Sequence, residues 1–155
     1  MTAVSDTSVL IAFESLGKLQ ILKKIFPQII IPEGVYKELK VEKGKFVLEN
    51  WIIVKKITNT DLYRRLYLNL GEGESETITL SIEEQADFTL LDDKEARKEA
   101  IDLDLKVIGT AGLLLSAKRK GLISSVMEEI KELEERINFR LSEDLKQYIK
   151  EQAGE

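Results

Sequence analysis

Residues 88–97 read FTLLDDKEAR, and this stretch restricts the fold more than any other. Phe88–Leu91 is a short apolar run of strand type that stops at two consecutive carboxylates, Asp92 and Asp93. From Lys94 to Leu103 the apolar residues Ala96, Ala100 and Leu103 recur at helical spacing. A buried strand that ends on acids and passes straight into a helix is the junction expected of an open α/β sheet. In such sheets ligands bind beyond the carboxyl ends of the strands.

The same alternation runs through the chain. Thr2–Val4 predicts a short first strand, followed by Ser5-Asp6-Thr7-Ser8. Val9–Phe13 is apolar on all sides, so it predicts a buried helix whose stripe continues through Leu16, Leu19, Leu22 and Phe26. Ile29–Ile31 predicts a second strand closed by Pro32, a suitable first residue for the next helix, which carries Val35, Glu38 and Leu39. Gly44 punctuates, Phe46–Trp51 predicts a short helical piece, and Ile52–Ile57 a third strand. Asp61–Leu70 predicts an amphipathic helix with Leu62, Tyr63, Leu66, Tyr67 and Leu70 on its apolar side. A Gly-Glu-Gly-Glu break at 71–74 leads into a helix to about Glu84, packing through Ile78 and Ile82. Lys106–Ile108 predicts the last strand and Ala111–Lys120 the helix after it. Ile123–Ile137 and Leu141–Ile149 predict two closing helices, the second N-capped by Ser142.

Short aliphatic strands alternating with helices predict an α/β fold, a three-layer α/β/α sandwich around a central parallel sheet. One domain over residues 1–155 is expected, with residues from about 122 to 155 as a C-terminal helical appendage. The apolar stripes of that appendage need cover from their own domain or from a second copy, so a homodimer is expected.

The chain contains neither cysteine nor histidine. Thiolate chemistry is excluded, and so is the commonest general base and soft-metal ligand. Catalysis would fall to carboxylates, hydroxyls, amines or an ion held by oxygen, and carboxylates suit hard ions such as Mg2+ or Mn2+. The formal net charge of −5 argues against a broadly basic nucleic-acid surface. It does not exclude nucleic acid, because bound divalent ions change the local sign. No apolar run reaches the roughly 20 residues that span a bilayer, so no membrane partner and a cytoplasmic location are expected. The Lys-, Glu- and Ile-rich composition suits an archaeal or thermophilic source.

Asp6 follows the first predicted strand and Asp92-Asp93 the fourth, which places them at one edge of a parallel sheet. Glu38 and Glu74 lie on helices in the crossovers. Each has a structural reading: Asp6, Asp92 or Asp93 as a helix cap, Glu38 as part of a solvated face, Glu74 as a complement to a helix dipole. Together they suggest a carboxylate cluster, whose members repel and raise at least one pKa until a divalent ion relieves them.

Five segments, VSDTSVLIAF at 4–13, IPEGVYKEL at 31–39, GESETITL at 73–80, LLDDKEAR at 90–97 and VIGTAGLLLSAKRKGLI at 107–123, occur in an order and spacing that resembles a PIN-domain protein. This is the nuclease fold of the VapC-type toxins, and the likeness is greatest to a prokaryotic PIN-like branch. The resemblance implies catalytic and metal-ligating roles for Asp6, Glu38, Glu74 and Asp93. Glu76 is the alternative register for the third acid and Asp92 for the fourth. It implies auxiliary roles for Ser8 and Thr110, and RNA contacts from Lys94, Arg97, Lys118, Arg119 and Lys120. The activity implied is Mg2+- or Mn2+-dependent hydrolysis of single-stranded or structured RNA by a toxin-like protein with an antitoxin partner. The third acid departs from the toxins, which place Asp where this chain has Glu. A catalytically degenerate PIN-fold binding module is the alternative. A haloacid-dehalogenase-type phosphohydrolase would need a second Asp where Ser8 stands, and no Gly-x-Gly-x-x-Gly turn supports a dinucleotide site.

Overall fold

Among the described residues the strands all run parallel; the three central ones are mostly buried, whereas the two edge strands are only partly so. The computed structural model describes residues 1–42 and 46–155. β1 (Thr2–Ser5), β2 (Gln28–Pro32), β3 (Ile52–Lys55), β4 (Phe88–Leu90) and β5 (Val107–Ile108) form one sheet in the order β3-β2-β1-β4-β5. At its centre Val4 stands opposite Ile30 on one side and Thr89 on the other. The helices among the described residues are α1 (Thr7–Ser15), α2 (Leu19–Ile25), α3 (Glu33–Glu42), α4 (Thr60–Tyr67), α5 (Glu72–Glu83), α6 (Lys94–Asp102), α7 (Thr110–Arg119), α8 (Val126–Arg136) and α9 (Glu143–Ala153).

Period-two alternation sorts the strand side chains into two cores. Ala3, Ile29, Ile31 and Leu90 face a large core with α1, α2, α3, α7, α8 and α9. Val4 and Ile30 turn the other way onto Leu80 of α5, beside a cluster that joins Leu62 and Leu66 of α4 to Ala96 and Ala100 of α6. This is the α/β/α sandwich expected from the sequence. α5 lies under the sheet centre, and its inner face is built partly from hydroxyls. Thr77 and Thr79 donate to carbonyls one turn back, and Thr89 of β4 donates to Ser81 at 2.9 Å, so these polar groups are buried without loss of partners.

Several local expectations are corrected. Phe46–Trp51 is not helical, and β3 stops at Lys55 rather than Ile57. The stripe from Val9 to Phe26 is two helices, because Gly17 adopts φ +68° after α1, a left-handed conformation that glycine accepts at little cost. Pro32 pairs with Lys55 as the last residue of β2, and α3 begins one residue later. α8 starts at Val126, not Ile123, because the Ser125 hydroxyl accepts from the Glu128 amide at 3.2 Å and fixes the first turn there. Ser142 caps α9 as expected. Gly44 lies outside the described residues.

The two closing helices are packed, not appended. Val126, Ile130 and Leu133 of α8 and Ile149 of α9 are buried in the large core with Val9, Phe13 and Leu113. The stripes that suggested a second copy are thus largely covered inside the chain, although Leu145 and Tyr148 stay exposed.

Candidate carboxylate site

The chain order of the sheet sets where a site can form. After β1 the chain moves outward to β2 and β3, then crosses back beyond β1 to β4 and β5. β1 and β4 are therefore neighbours at the point where the strand order reverses, the place where open α/β sheets bind ligands. The Asp6 amide bonds the Leu90 carbonyl at 3.0 Å, which holds the two strand ends together.

Four acids from four elements meet beyond this edge, in a cleft of ≈ 200 Å3 lined by Asp6, Thr7, Ser8, Glu38, Gly73, Glu74 and Asp93. Asp6, only 3% exposed, N-caps α1 by accepting from the Val9 amide at 3.1 Å. Glu38 of α3 accepts from the Thr7 hydroxyl at 2.5 Å and the Gly73 amide at 3.2 Å. Gly73 permits this approach, since a Cβ there would sit 2.5 Å from a Glu38 oxygen. Glu74, in the first turn of α5, reaches back to the Gly71 amide at 3.1 Å. Asp93 N-caps α6 through the Ala96 amide at 2.9 Å. The capping readings of Asp6 and Asp93 hold, and both residues also line the cleft.

The electrostatics are those of crowded anions. Burial pushes the Asp6 carboxyl well above its usual range, and the Asp92 and Glu74 charges add to it against the pull of the Val9 and Asp92 amides. Glu74 is raised by burial first, with the Gly71 amide opposing; Asp93, which shares a side-chain hydrogen bond with it, and Glu38 raise it further.

Asp92 has a different task. It accepts from the Thr110 amide at 2.7 Å and hydroxyl at 2.6 Å, fastening the β4–α6 junction to the start of α7. Burial raises its pKa, while both Thr110 bonds and the Arg97 charge draw it back down. Asp92 lies next to Asp6 but does not line the four-acid cleft. Glu76 also lies outside it, accepting from the Gly34 amide at 2.7 Å. Thr110 is occupied with Asp92, whereas Ser8 lines the cleft and is exposed. Thr7 is the cleft residue that sequence reasoning passes over. The Asp-Thr-Ser order offers two hydroxyls, and only the direction of α1's first turn selects which one meets Glu38.

Of the five basic residues expected at RNA, Lys94 alone lines a groove next to the cleft and stays exposed. Arg97 donates to the Leu91 carbonyl at 3.0 Å beside Asp92. Lys118 bonds the Ala153 carbonyl at 2.7 Å and Glu155 at 2.9 Å. Arg119 and Lys120 are exposed at the far end of α7, about 15 Å from its Thr110 end at 1.5 Å per residue.

Among the described residues no three acids stand ready-grouped to hold an ion. The hydrogen bonds explain this, because each cleft carboxylate is turned onto a protein amide or hydroxyl. The donor set is nonetheless all hard oxygen, and the charged neighbours that raise Asp6 are carboxylates, which is the chemistry a hard divalent cation takes.

A parallel α/β/α sandwich with carboxylates gathered at its central strand ends defines an α/β domain with an acidic site at its topological switch point. The chain belongs to the PIN-domain family, whose model matches residues 2–155. PIN domains are generally nucleases and typically use divalent metal ions. Searches with the chain find no matching curated protein and no matching solved structure. No helix among the described residues is long and apolar enough to cross a membrane.

Proposed function

We propose that the protein is a metal-dependent endoribonuclease acting on single-stranded or structured RNA, the toxin component of a toxin–antitoxin pair. Asp6, Glu38, Glu74 and Asp93 are its catalytic carboxylates. The observation that carries this reading is the meeting of four acids from α3, α5 and the β1 and β4 strand ends in one cleft at the reversal point of the sheet. Those four residues would hold Mg2+ or Mn2+, which when bound supplies water activation and neutralises charge on the phosphate. The chain's own part is to position. Thr7 and the Gly73 amide orient Glu38, and the helix caps fix Asp6 and Asp93. Ser8 stands exposed at the cleft wall, within reach of a bound phosphate ester.

A second reading keeps the fold and drops the chemistry. The satisfied hydrogen bonds of all four carboxylates favour a degenerate binding module that grips a partner protein.

The products separate the readings. Attack by the RNA's own 2′-hydroxyl calls for a positioned acid and base, most often histidine, and this chain has none. Attack by water leaves 5′-phosphate and 3′-hydroxyl ends. End-labelled RNA digested with Mn2+ should give those ends, and neither EDTA-treated protein nor Asp6→Asn should cleave. Cleavage that survives EDTA, or 2′,3′-cyclic phosphate ends, would refute the mechanism, and no cleavage under any condition would leave the binding module.

A further inference from the structure

At ≈ 200 Å3 the carboxylate cleft is smaller than pockets that enclose whole ligands, about 300–1,000 Å3. A nucleotide whose phosphate lies there must place its base elsewhere. The cleft adjoins a groove of ≈ 500 Å3 and shares the Ser8 and Asp93 walls with it. The groove is also lined by Ile11 of α1 and by the connection from α8 to α9, Ile137–Leu141. Half-buried Phe139 lines it together with exposed Asn138 and Lys94. Among the described residues Lys94 pairs with no carboxylate.

The connection is held in shape before any ligand arrives. The Phe139 amide bonds the Ile137 carbonyl at 2.8 Å, and Arg140 folds back onto the carbonyls of Phe139 at 2.7 Å and Glu134 at 3.1 Å. These bonds shape the backbone of the connection, and the half-buried Phe139 ring packs against the large core while lining the same groove as Lys94 and Asp93. Stacking aromatic, phosphate cation and amide side chain form the chemistry of a base-binding platform.

Resting on the nuclease reading for its ligand, we propose that this groove is a nucleobase subsite. One unstacked base of a single-stranded substrate lies on Phe139, its phosphate sits at the carboxylate cleft, and a neighbouring phosphate meets Lys94. A duplex keeps its bases stacked inside and cannot present one to the ring. Stacking is tolerant of base and sugar, so RNA and DNA single strands of one sequence should bind within a few-fold of each other.

Two variants test this. The native tryptophan, Trp51, is buried at 5% exposure, so Phe139→Trp adds a reporter in the groove. With Ca2+, a hard ion that takes oxygen ligands, a single-stranded 12-mer should quench that fluorescence, and a duplex of equal length should not. Phe139→Leu stays apolar but removes the ring, and should weaken single-strand binding about tenfold, or about 1.4 kcal/mol. Because Phe139 also packs against the large core, binding is compared well below the variant's own thermal midpoint. Lys94→Ala should reduce the salt dependence by about one phosphate contact. The subsite is overturned if Phe139→Leu binds like wild type, if duplex binding falls equally, or if Phe139→Trp is not quenched. Phe139-dependent binding without Mn2+ cleavage would keep the subsite and remove the nuclease. Asp6-dependent cleavage with an unchanged KM in Phe139→Leu would do the reverse.

Discussion

Asp6 and Glu155 are both carboxylates set against helix N-termini, and their surroundings drive them in opposite directions. Asp6 accepts from the Val9 amide at the start of α1. Glu155 accepts from the Ser125 hydroxyl at 2.6 Å and from the Val126 and Met127 amides at 2.8 and 3.1 Å at the start of α8. Burial alone would raise the Glu155 carboxyl, but Ser125, Lys118 and the two amides outweigh it and bring its pKa down to about 2. Asp6 faces Asp92 and Glu74 where Glu155 faces Lys118, and its pKa is raised. The motif is the same, and the charge of the neighbours decides its use. Glu155 is complete and ties α9 to α7 and α8. Asp6 is buried among other carboxylates, with no cation beside it among the described residues of the kind that Lys118 supplies to Glu155.

The largest expected effect exploits that difference. Mn2+ at about 100 times its dissociation constant should stabilise the fold by about 2.7 kcal/mol through mass action. In a domain of this size that is roughly 5–10 °C in thermal midpoint. The Glu155→Gln variant should keep the whole increment, because its carboxylate is not part of the cleft. A melt unmoved by millimolar Mn2+ would erase the distinction between the two carboxylates.

Glu155→Gln itself should cost about 1–2 kcal/mol after allowance for its partial exposure to solvent. Its folded pKa lies below the unfolded value of about 4.3. The stability it contributes is therefore present above that value and lost as pH falls toward about 2. Acid melts of wild type and variant should converge across this window. Parallel curves would mean that the α8–α9 tie does not depend on the charge.

Asp6→Asn should act in the opposite sense and stabilise the metal-free protein by about 1 kcal/mol at neutral pH. Asparagine keeps the cap, since it serves there as well as aspartate. For Asp6 the folded pKa is raised. Its favourable contribution is complete below the unfolded value of about 3.9 and disappears as pH rises through the folded one. The variant should flatten that decline. A less stable Asp6→Asn protein at pH 7 would show that its amide bonds outweigh the crowding.

How far the sequence could be read follows the same division between local and distant causes. The strands, the sandwich and the meeting of Asp6 with Glu38, Glu74 and Asp93 follow from strand-end placement and the resemblance, and the structure places all four in one cleft. The register of the paired aspartates could not be read locally, because the answer lies 18 residues beyond Asp92, where Thr110 takes it. Glu74 and Glu76 are separated by Gly34, a residue of a different helix. Phe46–Trp51 has helical spacing but no helix, and nothing in the structure supplies a physical reason. The α8 stripe was legible, but what covers it was not, since the core residues that meet it come from α1 and α7.

Asp93 gives the smallest stability effect and the sharpest separation of cap from site. Its carboxylate accepts from the Ala96 amide, so Asp93→Ala should lose a cap worth about 1 kcal/mol. Asp93→Asn should move stability by only a few tenths of a kcal/mol, because asparagine caps as well. Its amide can also donate to Glu74, which now shares a hydrogen bond with Asp93. What asparagine cannot supply is the charge. Loss of outer partners of a metal ligand typically costs 10–100-fold in affinity or activity, so loss of a ligand's charge should cost more than about 100-fold in Mn2+-dependent cleavage. The Mn2+ increment in the melt should shrink with it. Thermal melts and cleavage assays on both variants settle the assignment. If Asp93→Asn melts like wild type and also keeps its Mn2+ increment, Asp93 is a helix cap like Ser125 and the cleft has only three functional acids.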